Sequence, residues 1–346
     1  MESSPFKVLV HEYVTGGGWQ EAKLPAELAG EALAILVAVL KDFRLWGNAY
    51  LITTLDSRLS SCSLTADRVV ILHHEEHTRV LGDLVSEVDA ALIIAPESDG
   101  ILARLSALVE NAGTPLLGTN SRAVAVAGDK WDCFLRFAEA GLPTPITWRV
   151  SPSKAVSVAE KVGFPLVVKP VDGVGCEGVS MVSDSSSLSL AVDLMGFQRK
   201  EILLQRYLPG THASVSLLVS ETGVLPLSLN EQVLSIGIPC VYQGGVVPLE
   251  HSQRQLALTY ACRAASLVPG LRGYIGIDTV LTDEECYVIE INPRLTTSYV
   301  GLRQIINFNL AEAIRRACCE AILPQVPILS GKASFRKEEL SAAQGS

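Results

Sequence analysis

A short segment near the carboxyl end of the sequence gathers side chains that suit a bound cation. Asp278 and Glu290 lie in two β-type runs that flank residues 283–285. If those residues form a three-residue turn, the runs pair as a hairpin with Asp278 opposite Glu290, and their Cβ atoms lie about 5 Å apart. Asn292 follows Glu290 by two positions, so both residues face the same side of their strand. The sequence therefore predicts two carboxylates and one amide oxygen on one face.

Carboxylates that face each other across a hairpin repel unless a cation lies between them. Oxygen ligands in this number suit Mg²⁺ or Mn²⁺, and Mg²⁺ usually completes its shell with water and phosphate oxygens. Arg294 follows directly and is suited to bind a phosphoryl oxygen through its planar fork of donors. A solvated hairpin with exposed acids is the weaker interpretation, because Asp and Glu are poor strand residues and interrupt apolar runs here. We therefore predict a metal and phosphate centre between Asp278 and Arg294.

A second segment indicates phosphate binding, although less specifically. An apolar strand delivers Lys169, and a lysine in the middle of such a strand needs an anionic partner. The loop at residues 172–178 follows, and its glycines would let backbone N–H groups approach phosphates closely. This loop matches neither the Walker pattern nor the dinucleotide-binding turn, so a plain glycine hairpin stays open as the alternative.

The pattern of strands and helices changes along the chain. Strand-like and helix-like segments alternate over the first third, which predicts an open parallel sheet with helices on both faces. Residues 121–140 have the pattern of one helix, with Ser121 as its N-cap and Gly141 as its stop. Longer strands follow, and the final residues are polar and small, which is typical of disorder. We divide the chain into an α/β domain (1–118), a small lobe with the glycine loop (119–204), a large lobe with the metal site (205–330) and a disordered tail (331–346).

Composition and charge narrow the class of partner. Hydrophobic residues make up 48% of the chain and the net charge is -9, without a dense block of Lys and Arg. This balance argues against nucleic acid or an anionic membrane as the partner. The longest apolar run, residues 32–40, is far shorter than the roughly 20 residues that span a bilayer. Residues 1–7 lack a signal pattern, so we expect a cytoplasmic protein that acts on small molecules and keeps its eight cysteines reduced and mostly buried.

Together these segments resemble the ATP-grasp superfamily. That family has a strand lysine before a flexible glycine loop, then a nucleotide-binding hinge, and then a metal-binding D…E-x-N motif. Here they read, in the same order, Lys169-Pro170, residues 172–178, residues 204–208, and Asp278…Glu290-Ile291-Asn292. Lys130, in GDKW, matches the family's earlier phosphate-facing lysine. The likeness covers residues from about 120 to about 325, and the joint occurrence is specific although no single piece is.

The resemblance implies an α/β (α+β) chain with the ATP-grasp fold after an open parallel α/β domain, and the activity of an ATP-dependent carboxylate–amine ligase. Arg294 and Lys169 would be catalytic, and Mg²⁺ or Mn²⁺ would be held by Asp278, Glu290 and Asn292. ATP would be bound by Lys130, Lys169, Asp172, Gly173, Gly175, Gly178, Gln205, Tyr207 and Leu208. Many relatives carry acidic residues where this chain has Gln205 and His212, so contacts with adenine and ribose stay open there.

Two further stretches resemble the tyramine–L-glutamate ligase group of methanofuran-type cofactor biosynthesis. They are HEYVTGGG at residues 11–18 and EINPRLTTSYVGLR at residues 290–303. By that likeness Thr296, Thr297 and Ser298 would touch the acyl substrate or the transferred phosphoryl group. L-Glutamate would be joined to tyramine, tyrosine or a glutamate chain. An ATP-grasp ligase for another amino acid or dipeptide, a phosphotransferase, a non-catalytic nucleotide-binding protein and a homodimer all stay open.

Several other residues have two interpretations. The glycines at residues 16–18 form either a flexible turn or a loop that binds substrate. Asn230 and Gln232 share a strand face, which points either to the substrate or to solvent. His73 and His77 have a spacing that metal ligands use, but we interpret HHEEH as a solvated turn.

Overall fold

The computed structural model describes residues 5–73, 76–196 and 199–342 of the 346-residue chain. Its N-terminal domain contains a four-stranded sheet in the order β3-β2-β1-β4, and all neighbouring strands are parallel. The elements are β1 (Phe6–Glu12), α1 (Ala26–Trp46), β2 (Ala49–Asp56), β3 (Arg68–Leu72), α2 (His77–Val85), β4 (Ala90–Ile94) and α3 (Ile101–Asn111). The predicted open parallel α/β domain is confirmed.

Burial on both faces explains why the central strands are apolar without alternation. Val8 pairs with Leu51 on β2, Val10 pairs with Leu92 on β4, and all four side chains are buried. Parallel strands covered by helices on both faces require such continuous apolar runs. The carboxyl ends of β1 and β4 lie side by side. The polar residue Glu12, which ends β1, therefore lies at the carboxyl end of the sheet, next to the segment that follows β4.

Residues 121–140 form two helices rather than the single helix that we expected. They are α4 (Ser121–Gly128) and α5 (Lys130–Glu139). Asp129 between them is extended, and its carboxylate accepts hydrogen bonds from two backbone N–H groups in the first turn of α5. Gly128 is a poor helix residue and Asp is a strong N-cap, so the break is local in origin. The N-cap of α4 is Asn120, and the break places Lys130 at the start of α5.

The small lobe is a four-stranded antiparallel sheet in the order β5-β8-β6-β7. Its elements are β5 (Thr147–Val150), α6 (Ala155–Val162), β6 (Leu166–Pro170), β7 (Ser180–Val182), α7 (Ser185–Met195) and β8 (Ile202–Arg206). The glycine loop joins β6 to β7, as its position after a strand predicts. The boundary that we placed after residue 204 cuts through β8, so the lobe ends with Arg206 instead.

The large lobe is built on a six-stranded antiparallel sheet in the order β13-β12-β9-β10-β11-β14. Its elements are β9 (Thr211–Ser220), β10 (Gly223–Ser235), β11 (Val241–Val247), α8 (Arg254–Ser266), β12 (Gly273–Leu281), β13 (Cys286–Asn292), α9 (Ser298–Ile305), α10 (Leu310–Cys319), β14 (Ala333–Arg336) and α11 (Lys337–Ala342). Ala127 of α4 and Phe137 of α5 share a core with Val215 and Ile277 of this sheet. Helices α4 and α5, which we had placed in the small lobe, therefore pack with the large lobe.

Helix α1 of the N-terminal domain also packs on the large lobe. Leu36 of α1 shares a hydrophobic core with Tyr274 of β12. Asp42 on the same helix accepts hydrogen bonds from the hydroxyl of Tyr299 at 2.6 Å and from Nε of Arg303 at 2.9 Å, both on α9. A shared core and a buried, hydrogen-bonded acid thus fix α1 against α9.

Residues 333–342 form a strand and a helix where we expected disorder. Strand β14 pairs with β11, with Gly245 opposite Phe335. The ring of Phe335 is buried because glycines leave it room: a Cβ on Gly245 would lie 2.9 Å from the ring. A single aromatic side chain in a matching slot outweighs the polar composition of the segment. The expectation of disorder is therefore wrong for residues 331–342, and residues 343–346 lie outside the described part.

The HHEEH segment is not a solvated turn throughout. His77 begins α2 and is buried, with its Nε2 3.0 Å from Nε2 of His11. His11 in turn approaches the hydroxyl of Thr54 through Nδ1 at 2.7 Å. His73 is exposed as expected, and residues 74–75 lie outside the described part. Within the described residues, no group of three or more His, Cys, Asp and Glu side chains could hold a metal ion.

The glycines at residues 16–18 form a packed turn rather than a flexible one. All three are buried. A Cβ on Gly16 would lie 2.5 Å from the hydroxyl of Thr54, and one on Gly18 would lie 2.2 Å from the ring of Tyr13. Glycine is needed here for close packing at the end of β1.

The cysteines lie mostly away from solvent. Seven of the eight cysteines are buried or partly buried, all eight are unpaired, and Cys319 is exposed.

Among the described helices, none combines the length and the apolar composition that crossing a membrane requires.

The buried histidine pair predicts a loss of stability in mild acid. Burial lowers the pKa of both His11 and His77, and the charge of His77 lowers that of His11 further. Their folded-state pKa values lie below the unfolded value of about 6.5, so the unfolded state takes up protons first. The stabilisation is complete above about pH 6.5 and declines as the pH falls. The slope is about 1.4 kcal/mol per pH unit for each proton that only the unfolded state binds.

Denaturant unfolding between pH 8 and pH 5 measures this slope in the free energy of unfolding. Burial raises the pKa of the neighbouring Glu12, which acts in the opposite sense, so variants rather than absolute values isolate the histidines. His77→Gln should flatten the decline, whereas His73→Gln, on the exposed side of the same segment, should not. An unchanged slope in His77→Gln would contradict the assignment.

Candidate active site

The hairpin of β12 and β13 places Asp278 opposite Glu290, as predicted. The route to this pairing differs from the one that we assumed. The connecting loop has four residues, 282–285, rather than three, and an extra residue at position 289 forms a bulge that restores the register. The two departures cancel, so the predicted pair forms although the predicted turn is wrong.

The same face of the hairpin carries Asn292, and the opposite face enters the core. The amide of Asn292 lies close enough to the carboxylate of Asp278 to lower its pKa. Ile277 and Ile291, which neighbour Asp278 and Glu290 along their strands, are buried in the core of the large lobe. Hydrophobic burial of alternate residues therefore fixes which side chains point into the site.

Glu290 lies between two buried lysines. Its Oε2 is 3.3 Å from Nζ of Lys130 and 4.0 Å from Nζ of Lys169. Lys130 comes from the start of α5 and Lys169 from β6, so two lobes meet at one carboxylate. Lys130 also donates a hydrogen bond to the carbonyl oxygen of Gly173 at 2.9 Å, which ties the glycine loop to the cluster.

Burial and neighbouring charges shift the pKa values of Asp278 and Glu290 in opposite directions. Burial and then the charge of Glu290 raise the pKa of Asp278 to about 7. Burial acts on Glu290 as well, but Lys130 and Lys169 outweigh it and hold its pKa below the usual range. Burial lowers the pKa of Lys169 to about 8, whereas Glu290 raises the pKa of Lys130 despite burial. Asp278 is therefore the acid that gains most from a further cation.

The donor set on this face fits a hard divalent cation. Asp278, Glu290 and Asn292 offer only oxygen ligands, and no imidazole or thiol joins them among the described residues. The side-chain amide of Gln232 on β10 donates a hydrogen bond to Oδ1 of Asp278 at 3.1 Å, which orients that carboxylate. Three protein ligands leave positions for water and phosphate oxygens, as Mg²⁺ prefers.

Neither Asn230 nor Gln232 points to open solvent. Gln232 contacts Asp278, whereas Asn230 is buried one step deeper and donates to the hydroxyl of Ser216 at 2.9 Å. Ser216 lies 2.7 Å from the hydroxyl of Tyr274. These residues therefore form a buried polar layer beneath the cluster.

Residues 296–298 divide between that layer and the opposite side. The hydroxyl of Ser298 lies 2.8 Å from that of Thr296 and 3.3 Å from that of Tyr274, so both residues belong to the polar layer. Thr297 points elsewhere and donates a hydrogen bond to the carboxylate of Glu31 on α1. The three residues that we expected to touch substrate thus have different surroundings.

The hinge residue Gln205 is held by the protein at both ends of its amide. Its Oε1 accepts a hydrogen bond from Nζ of Lys169 at 3.0 Å, and its Nε2 donates to the hydroxyl of Thr147 at 2.8 Å. A neutral amide therefore contacts the lysine in the hinge. Tyr207 and Leu208 follow β8 and are partly exposed between the lobes.

The glycine loop has the backbone that its composition predicts. Gly173, Gly175 and Gly178 have φ values of 141°, 60° and 69°, which L side chains rarely adopt. Asp172, which we expected to bind nucleotide, instead accepts hydrogen bonds from the backbone of Asp99 at 2.8 Å and from a guanidinium nitrogen of Arg199 at 3.1 Å. It anchors the loop to the N-terminal domain and does not join the Glu290 cluster.

Arg294 brings acids of the N-terminal domain to the site. Its Nε lies 3.1 Å from Glu97, and its Nη1 donates to the carbonyl oxygen of Leu295 at 3.0 Å. Burial raises the pKa of Glu12, and the charge of Arg294 acts on it in the opposite direction. Our sequence reasoning missed Glu12 and Glu97. Both lie at or just after the carboxyl ends of neighbouring parallel strands, which is the signal that would have found them.

A cavity of about 450 Å³ lies between the N-terminal domain and the small lobe. It borders the site at Glu97 and Asp172, but its lining does not include Asp278, Glu290 or Asn292. We take the cluster of acids and lysines as the candidate site, because it holds the groups that can bind a metal and phosphates.

Comparison with known proteins agrees with this geometry. A family model described as the ATP-grasp domain matches residues 127–298, and one described as the pre ATP-grasp 3 domain matches residues 50–124. The chain belongs to the ATP-grasp superfamily. A crystal structure assigned to an ATP-grasp superfamily protein of Archaeoglobus fulgidus is 25% identical, with a TM-score of 0.73 over 96% of this chain and 92% of that one.

Curated relatives include two tyramine–L-glutamate ligases. The protein of Methanocaldococcus fervens is 33% identical over 63% of this chain, and that of Methanocaldococcus jannaschii is 32% identical over 66%. The chain spans about 62% of the length of each. The biotin carboxylase domain of the Hydrogenobacter thermophilus 2-oxoglutarate carboxylase shares the ATP-grasp fold, with a TM-score of 0.76 over 96% of this chain and 74% of that one at 16% identity.

Lys169→Met should weaken the binding of MgADP to this ATP-grasp site by about 10- to 100-fold. A hydrogen bond to a charged group contributes about 1.5–3 kcal/mol, and the phosphates would lose one such donor. Isothermal titration calorimetry measures the change. Lys161→Met, an exposed lysine on α6 of the same lobe, is the matched control and should bind normally. Equal affinity in both variants would mean that Lys169 serves only to neutralise Glu290.

Proposed function

We propose that the protein is an ATP-dependent carboxylate–amine ligase. The observation that carries this proposal is the Glu290 cluster: an acid opposite Asp278, flanked by two lysines, with Arg294 past the strand end. Such a set suits a metal ion and a polyphosphate together, rather than either one alone. The tyramine–L-glutamate ligase relatives support the same chemistry.

The residues would divide the work of binding. Asp278, Glu290 and Asn292 would hold Mg²⁺, or Mn²⁺, which when bound neutralises charge on the phosphates. Lys130, Lys169 and the backbone of the glycine loop would contact phosphate oxygens. Gln205, Tyr207 and Leu208 would line the adenine pocket at the hinge between the lobes.

The proposed reaction needs no nucleophilic side chain. An oxygen of the substrate carboxylate forms a bond to the γ-phosphorus of ATP, and ADP leaves with the electron pair of the broken P–O bond. The nitrogen of a neutral amine then attacks the acyl carbon, phosphate leaves, and the amine loses a proton. Arg294 and the lysines stabilise the charge that develops on the phosphoryl oxygens. The glycine loop would exclude water, which otherwise hydrolyses the acylphosphate.

We propose L-glutamate as the carboxylate substrate. Tyramine, tyrosine or a glutamate chain would be the amine, in the synthesis of a methanofuran-type cofactor. The likeness to the two Methanocaldococcus tyramine–L-glutamate ligases supports this choice, as do the segments at residues 11–18 and 290–303 that resemble their group.

Glu290→Gln should lower ATP turnover by about 100-fold or more while the protein stays folded. The amide has nearly the same shape but removes the charge that would hold the metal and that orients both lysines. ADP release measures turnover, and the melting temperature reports the fold. Glu284→Gln, an exposed acid in the loop of the same hairpin, is the control. Full turnover in Glu290→Gln would refute the metal assignment.

Incubation with ATP, Mg²⁺, L-glutamate and each amine in turn tests the reaction itself. We expect amide, ADP and phosphate in equal amounts with at least one of tyramine, tyrosine and glutamate. Mass spectrometry identifies the amide. A stable phosphorylated product without amide would indicate a phosphotransferase, and absence of ADP with every amine would contradict the ligase proposal.

A further inference from the structure

The C-terminal arm, which we define as residues 333–342, carries a lysine to the side of the site that faces α1. Strand β14 adds to the edge of the sheet beside β11, and Lys337 follows at the start of α11. Its Nζ lies 3.7 Å from Oε2 of Glu31 on α1. The arm lies outside residues 127–298, which the ATP-grasp family model matches. Two segments that are far apart in the sequence therefore meet at this pair.

Glu31 is anchored on the segment that follows Arg294. The hydroxyl of Thr297 donates a hydrogen bond to Oε1 of Glu31, while Oε2 faces Lys337. Thr297 also lies close enough to the hydroxyl of Tyr242 on β11 to lower its pKa slightly. Burial raises the pKa of that hydroxyl, and the charges of Glu31 and Asp278 raise it further. Tyr242 thus lies near both Glu31 of this pair and Asp278 of the candidate site.

The pair is not needed to dock α1 against α9. Asp42 already does so: its side chain is 5% exposed and is held by Tyr299 and Arg303. Glu31 and Lys337, by contrast, have side chains that are 20% and 24% exposed. Both side chains of this pair are thus partly exposed, and Thr297 holds Glu31 in place, so the pair can exchange its partner for a ligand.

We propose that Glu31 and Lys337 form a subsite for the ammonium and carboxylate groups of a free amino acid. Glu31 accepts hydrogen bonds from the ammonium group, and Lys337 donates to the α-carboxylate. Each charge then keeps an opposite charge, so the exchange costs little desolvation. The side-chain carboxylate of L-glutamate extends toward Arg294. This inference deepens the proposed function and rests on it for the identity of the amino acid.

Titration calorimetry with L-glutamate on the MgADP-loaded protein tests the subsite. Lys337→Met and Glu31→Gln should each lower the affinity for L-glutamate by about tenfold or more, because each removes a charged hydrogen-bonding partner. Their affinity for MgADP and their melting temperatures should stay close to those of the wild type. Lys337→Arg should retain binding. Lys332→Met, an exposed lysine just ahead of the arm, is the matched control and should change nothing.

Two ligand analogues separate recognition from a structural role. Glutarate lacks the ammonium group of glutamate, and 4-aminobutyrate lacks its α-carboxylate. The wild type should bind both at least about tenfold more weakly than L-glutamate. Glu31→Gln should lose only the preference for L-glutamate over glutarate. Lys337→Met should lose only the preference for L-glutamate over 4-aminobutyrate. A pair that only stabilises the fold would change neither preference selectively.

The outcomes distinguish this inference from the proposed function. If the protein forms no amide but shows these preferences, the subsite stands and the ligase reaction does not. If amide forms while both variants keep the affinity and preferences of the wild type, the subsite is refuted and the ligase reaction stands. Failure of L-glutamate to bind the MgADP-loaded wild type would also overturn the subsite.

Discussion

The negative charge of Glu290 is the constraint on which the site depends. A buried carboxylate is tolerated only when opposite charges and hydrogen bonds surround it. Lys130 from α5 and Lys169 from β6 meet this need, and in doing so they bring the small lobe and the glycine loop to the hairpin of the large lobe. Asp278 is left with the raised pKa of the pair. The asymmetry between two facing acids is what makes this face selective for a further cation.

The local part of this arrangement could be predicted from the sequence, because it depends on strand alternation and residue type. The facing of Asp278 and Glu290 was predicted from an assumed three-residue turn, and the structure buries their neighbours Ile277 and Ile291 in the core. The turn length could not be predicted, since one extra loop residue was offset by the bulge at position 289. The break between α4 and α5 at Asp129 could have been predicted, because a strong N-cap residue follows a glycine there.

Contacts between distant segments were beyond prediction from a single sequence. Glu12 and Glu97 follow a general rule about the ends of parallel strands. The ion pair of Glu97 with Arg294, and the effect of the charge of Arg294 on Glu12, depend on how the N-terminal domain packs on the large lobe through α1. Lys337 lies in a segment whose polar composition suggested disorder. The glycine-lined slot for Phe335 and the pairing of β14 with β11 hold this segment, and both depend on residues about ninety positions earlier in the chain.

The position of β14 also determines which backbone groups of the large lobe are open to pairing with another chain. A strand at the edge of a sheet presents unpaired N–H and C=O groups on which another chain can assemble. Strand β11 would be such an edge, and β14 covers it along Gly244 to Val247. A chain cut after residue 330 would uncover this backbone beside an apolar slot that no ring fills. The C-terminal arm therefore covers backbone groups of β11 that would otherwise be open to pairing with another chain.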